Sequence, residues 1–230
     1  MTAEKEQHFP QTATWIGRRL ALGDEGLEAV RQHVMAVYYQ PLMIYFRGCR
    51  DRWMGEPEDI VNGFFASYLA RADYFEDWQQ RGDSLAQWLR NGIHVHVKAL
   101  KAKAKYDQKK GVQALPEDNI LPAGEDKAQR DYELHCVLSL AQAAISLAEE
   151  FCAEEGLQKH WEILRRHYLN GQGYTDFADE LGVSPERASV MNRTALVRLG
   201  RATREVIERE LPAGASIEEA AQNLLEVLKQ

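Results

Sequence analysis

Glu186, Arg187, Ser189 and Val190 crowd the start of the stretch "SPERASVMNRTALVRL", and Arg193 follows one turn later. Arginine can pair in bidentate fashion with guanine, and glutamate can accept a hydrogen bond from cytosine, so these residue types suit the reading of base edges. Their placement suits it too, because the first turns of a recognition helix are the part that reaches into a major groove. A second group is cationic: Lys98, Lys101, Lys103 and Lys105 lie in "KALKAKAKYDQKK", where thirteen residues hold six lysines and one aspartate. Such a run neutralises phosphates. It also fits a solvated helix end whose lysines complement the negative C-terminal dipole, and that reading stays open. The three cysteines, Cys49, Cys136 and Cys152, form no Cys-x-x-Cys pair, which argues against a zinc site and a disulfide framework and for buried thiols. His94 and His96 have no third metal ligand in view. With no glycine-rich phosphate loop and no nucleophile elbow, the expectation is a binding protein without catalytic chemistry, cofactor or small-molecule substrate.

The elements that position these residues read as helices throughout. Apolar residues recur at helical spacing, and no alternating branched run bounded by hairpin turns occurs, so the fold class expected is all-α. "GDEGLEAVRQHVMAVYYQPLMIYFRGC" sets Leu27, Val30, Val34 and Val37 on one face, and Pro41 is expected to kink or split that helix. Pro57 with Glu56, Glu58 and Asp59 marks the start of the next helix, whose core stripe is Ile60, Val61, Phe64 and Tyr68. "EDWQQRGD" reads as a loop carrying on from Tyr74 and Phe75, and a third long helix comes next through "SLAQWLRNGIHVHVKALKAKAKY". The prolines and glycines of "GVQALPEDNILPAG" read as a linker. In "YTDFADELGVSPERAS" Gly182 suits a left-handed turn, Ser184 an N-cap and Pro185 a first helical position, giving a helix-turn-helix with Phe177, Ala178 and Leu181 inside and Val183 between the helices. A well-packed helical hairpin with no DNA is the alternative. The tail restarts at Ser216 as an amphipathic helix with Ile217, Ala220, Leu224 and Leu228 on one side.

Charge narrows the choice. The 230 residues carry a net charge of -7, yet 98–110 sum to +5 while 111–230 sum to -9. An acidic half that carries a DNA-reading motif implies weak intrinsic affinity for DNA, so a larger partner must supply the rest of the binding free energy. The N-terminal residues lack the pattern of a secretory signal, and the richest apolar window is cut by polar residues. The expectation is therefore a cytoplasmic chain that does not insert in a membrane.

The order of these stretches resembles that of bacterial RNA polymerase sigma factors of the extracytoplasmic-function class, in the sigma-70 family. "YYQPLMIYFRG" followed by "GEPEDIVNGFFASYLAR" is similar to the family's first helices. "QWLRNGIHVHVKALKAKAKY" is similar to its -10 helix, in which a Trp-Leu pair packs inward and the other face meets the non-template strand. "FADELGVSPERASVMNRTALVRLGR" resembles its -35 reader. The resemblance implies a region 2-like helical bundle over 1–110, a linker over 111–130, a region 4-like helix-turn-helix domain over 131–210 and an amphipathic tail over 211–230. Glu58, Asp59, Asn62 and Phe65 match the surface that grips core polymerase. Trp88, Asn91, His94, Lys98, Lys101 and Lys105 match the -10 surface. Ser184, Glu186, Arg187, Ser189, Val190 and Arg193 match the -35 surface. The implied partners are core RNA polymerase and promoter DNA, with an anti-sigma factor or other regulator as a further candidate. The chain departs from the family in carrying Ser189 and Val190 where basic residues and glutamine are common. Two alternatives stand beside this expectation: a stand-alone helix-turn-helix regulator, and a sigma-like interaction protein that does not initiate transcription.

Overall fold

A computed structural model describes residues 14–109, 125–212 and 214–228. Every regular element among these residues is helical, as the periodicity requires. By contacts the chain divides into two units, 1–137 with 208–230, and 138–207.

The first unit begins with α1 (Trp15–Leu20), capped by the Thr14 hydroxyl, which accepts the Gly17 N–H at 2.9 Å. The long α2 (Asp24–Gly48) packs against α1, α3 (Pro57–Phe64) and α5 (Leu85–Lys109). Val30, Val34, Val37, Tyr38, Leu42 and Phe46 form its buried face. Pro41 neither splits this helix nor ends it: the helix runs unbroken through a proline that is itself buried among that stripe. One lost backbone hydrogen bond is outweighed by the continuous apolar face on either side.

α3 passes into a wider π-helical turn, Phe65–Leu69. The extra residue in that turn brings the consecutive Phe64 and Phe65 inward together, along with Leu69. α4 (Ala72–Arg81) corrects the sequence expectation of a loop here. Its polar residues suggest a connection, but Tyr74, Phe75 and Trp78 lie at helical spacing and all three are buried, so one apolar stripe decides the segment. The Trp78 indole donates to the Asp83 carbonyl at 2.8 Å, tying the end of α4 to the start of α5.

α5 crosses this aromatic core at Gly92. A Cβ there would collide with the Tyr74 hydroxyl and lie 2.9 Å from the Phe64 ring, so the close approach requires glycine. Leu85, Leu89, Ile93 and Val97 are its buried stripe. α6 (Glu125–Glu154) starts in this unit. The expected linker over 111–130 mostly lies outside the described residues, but 125–130 are helix, because Ala128 is buried on the close approach to Gly48 and the Tyr132 hydroxyl donates to the Ala86 carbonyl at 2.7 Å.

The second unit holds the rest of α6, α7 (Gln158–Leu164) with a π-helical turn Arg165–Leu169, α8 (Tyr174–Phe177), a 3-10 turn Asp179–Leu181, and most of α9 (Pro185–Arg209). α6 includes a window of mean hydropathy 1.4, long and apolar enough by composition to cross a membrane. Here its Ala148 and Cys152 pack with Trp161, Leu164, Ala195 and Ala202 in a core cluster of this unit.

The last two residues of α9 and the chain from there to the C-terminus belong to the first unit. There Glu210 is held between the His33 ring, 2.7 Å from its carboxylate, and the Tyr38 hydroxyl. Arg18 pairs with Glu208 at 2.7 Å, and the Arg209 guanidinium lies 5.3 Å from the centre of the Trp15 ring. α10 (Ile217–Val227) is capped as expected, with the Ser216 hydroxyl accepting from the Glu219 N–H. Its Ile217, Ala220 and Leu224 are half-buried, whereas Leu225 and Leu228 are exposed.

Candidate nucleic-acid interface

The local sequence around residue 182 builds a helix-turn-helix in a few steps. Gly182 takes a left-handed conformation at φ 65°, which ends the 3-10 turn and reverses the chain. The Ser184 hydroxyl then accepts the Arg187 N–H at 3.2 Å, and Pro185 opens α9 where its missing N–H matters least. Ile163, Phe177, Ala178, Ala188 and Met191 form the small core between the helices, with Tyr174, Leu181 and Val183 against it. Val183 is thus the plug between the two helices.

Polar contacts fix the hairpin from the sides. The buried Asn192 amide donates to the Tyr174 hydroxyl at 2.8 Å, and the Tyr174 ring stacks on His167 at 4.2 Å. Arg166 bridges Glu162 and Glu180 at 2.8 and 2.7 Å, holding the end of α7 to the 3-10 turn. These positioning residues carry no sequence motif. The spacing of His167 and Tyr174 around a glycine-rich turn is the one available signal.

Of the residues expected on the reading face, Glu186, Arg187, Val190 and Arg193 are exposed, Ser189 is half-buried and Ser184 is occupied as the cap. Residues 186, 190 and 193 share a face at the i, i+4, i+7 spacing, with 187 at its edge. The Ser184 hydroxyl holds the Glu186 carboxyl below its ordinary pKa, so this group is an acceptor at neutral pH. Further along α9, Arg198 is engaged with Glu155 at 2.9 Å, and Arg201 with Glu205 at 3.1 Å and over the Phe151 ring. Cationic reach toward DNA is therefore concentrated at Arg187 and Arg193 within the first turns.

The expected strand-facing set on α5 splits in two. Asn91, Lys98 and Lys105 are exposed and lie along one side of the helix. Trp88, His94 and Lys101 instead serve the fold. The Trp88 ring packs 5.3 Å from Tyr74 and under the Arg81 guanidinium, His94 is hydrogen bonded to the Tyr45 hydroxyl, and Lys101 pairs with Asp51 above the Trp53 ring. Tyr74, Phe75 and Trp78, expected as an aromatic loop beside the lysines, are core residues of α4 and have no face left for a base. Beside Lys98 and Lys105 the structure exposes two residues outside the expected set, Val95 and Tyr106. Stepping along α5 by three and four from Asn91 finds both.

On α3, Glu58, Asp59 and Asn62 are exposed within the first turns, where the helix dipole favours the two carboxylates. Phe65 is only 5 % exposed and lies 6.2 Å from Tyr39, so it supports this corner from beneath and does not present a surface. His96 is likewise internal, against Phe64 and Tyr68, and burial lowers its pKa.

No protein-family model, curated protein or solved structure matches this chain.

Proposed function

We propose that this chain is a promoter-specificity subunit of bacterial RNA polymerase, similar in kind to the extracytoplasmic-function sigma factors. One observation carries the reading: a Gly182 turn, a Ser184 cap and a small plugged core present Glu186, Arg187, Val190 and Arg193 outward at the start of a 25-residue helix. That face has the groups for base-edge readout but too few cations to hold a duplex alone. In this reading core polymerase supplies most of the DNA affinity, and the chain supplies the choice of site. Glu58, Asp59 and Asn62 form an acidic corner suited to a basic polymerase surface, while Asn91, Lys98 and Lys105 face the non-template strand. No step of this function requires catalysis by the chain.

The test is run-off transcription from a pool of bacterial genomic fragments by core polymerase with and without the protein. Discrete transcripts that appear only with the protein, and vanish with Arg187→Ala plus Arg193→Ala, support the reading. Transcripts unaffected by that pair of substitutions exclude this face as the promoter reader. A second reading, an interaction protein that occupies polymerase without initiating, draws on the ion pairs that tie up Arg166, Arg198 and Arg201. It predicts inhibition of a competing initiation factor and no new transcripts.

A further inference from the structure

We infer that the outer face of α5 is a stacking platform for single-stranded nucleic acid, with Tyr106 as the ring on which a base lies. This deepens, and rests on, the reading of α5 as strand-facing. At 100° per residue, Val95, Ala99, Ala102 and Tyr106 fall within one narrow apolar strip. All four are exposed, Val95 at 54 % and Tyr106 at 58 %. Lys98 and Lys105 line one edge of this strip and Lys103 the other, each exposed. Seven residues separate Lys98 from Lys105, about 10 Å along the axis. An apolar strip with lysines on both sides matches a chain of flat bases flanked by phosphates. An acidic amphipathic helix is the competing occupant, and the strip suits it less. Such a partner needs large anchors and pockets at successive turns. This strip has small alanines between its two large side chains, which leaves a shallow floor that a planar base can approach. Lys101 takes no part, because its ammonium is held by Asp51. The aromatic that stacks is therefore supplied by the far end of α5, and not by the buried Tyr74, Phe75 and Trp78.

The experiment is fluorescence anisotropy of the full chain with a labelled single-stranded DNA dodecamer, the same sequence as duplex, and an acidic amphipathic peptide. The expected result is salt-dependent binding that prefers the single strand. Tyr106→Ala weakens it about 5- to 100-fold and Tyr106→Phe preserves it. Each of Lys98→Ala, Lys103→Ala and Lys105→Ala lowers the slope of log affinity against log salt by about 0.7. Tyr106 is exposed, so these variants should keep the wild-type thermal midpoint, which circular dichroism checks. Equal binding by wild type and Tyr106→Ala, absence of binding to the single strand, or preference for the acidic peptide each overturns the inference. Capture of core polymerase, measured separately on the same proteins, reports on the sigma-like reading. If the wild type is captured and Tyr106→Ala binds the oligonucleotide unchanged, only the platform fails. If capture fails while Tyr106-dependent binding holds, only the sigma-like reading does.

Discussion

At the residue scale, the groups that make contact and the groups that hold them are different, and the sequence mixes them. Arg187 and Arg193 are exposed on the first turns of α9, whereas Lys101 and His94 are consumed by Asp51 and Tyr45. In the proposed complex Arg187→Ala should cost about 1–3 kcal/mol of promoter affinity and relax preference at one base pair, read by competition between promoter variants. Lys101→Ala should leave single-strand binding unchanged and lower stability instead. Gly92 makes an equally specific claim. Its hydrogen faces Tyr74 and Phe64, so Gly92→Ala forces those rings apart. The expected loss is about 1–3 kcal/mol in urea unfolding, despite the higher helix propensity of alanine. The chemistry of individual residues is legible in the sequence, but their orientation is not. A lysine in a basic run looks the same whether its ammonium faces solvent or a neighbouring aspartate.

At the element scale, punctuation decides what can be read. The start of α9 follows from Gly182, Ser184 and Pro185, three residues whose backbone preferences act locally. α4 reads as a loop in sequence because seven of its ten residues are polar or alanine, and only Tyr74, Phe75 and Trp78 signal the buried stripe that stabilises it. Pro41 misleads in the opposite direction: a local breaker is overruled by tertiary burial on both sides. Long-range polar contacts leave no local pattern at all. Glu210, just past the end of α9, meets His33 and Tyr38 of α2 across more than 170 positions, with side chains only 7 and 12 % exposed at the His33–Glu210 pair. Glu210→Ala would strip the acceptor from both partners and should lower unfolding free energy by about 3 kcal/mol. A double-mutant cycle with Tyr38→Phe would show strong coupling. Additive losses would mean that the carboxylate does not hold the two elements together.

At the scale of the whole molecule, stability is tied to the alkaline end of the pH range. Burial raises the pKa of the Tyr38, Tyr74 and Tyr132 hydroxyls above the ordinary tyrosine value, at Tyr38 with the Glu210 carboxylate adding to it. A raised folded-state pKa stabilises the protonated fold fully below the unfolded value of about 10, and that contribution is lost as pH climbs beyond it. Stability should therefore fall steeply above about pH 10. Tyrosinate absorbance from these three rings should appear with unfolding, and Tyr38→Phe should flatten the alkaline fall. Ionisation of all nine tyrosines in the folded chain would contradict this burial.

The acidic balance of the chain finds its explanation at this scale as well. A chain with net charge -7 is a poor ligand for DNA by itself, but an acidic corner at Glu58 and Asp59 is suited to a basic partner. The most direct measurement is capture of purified bacterial core RNA polymerase by the intact protein and by a Glu58→Lys, Asp59→Lys variant at physiological salt. A promoter-specificity subunit predicts stoichiometric capture by the first and its loss in the second, with both proteins folded to the same thermal midpoint. An intact protein that leaves core polymerase in solution would contradict it.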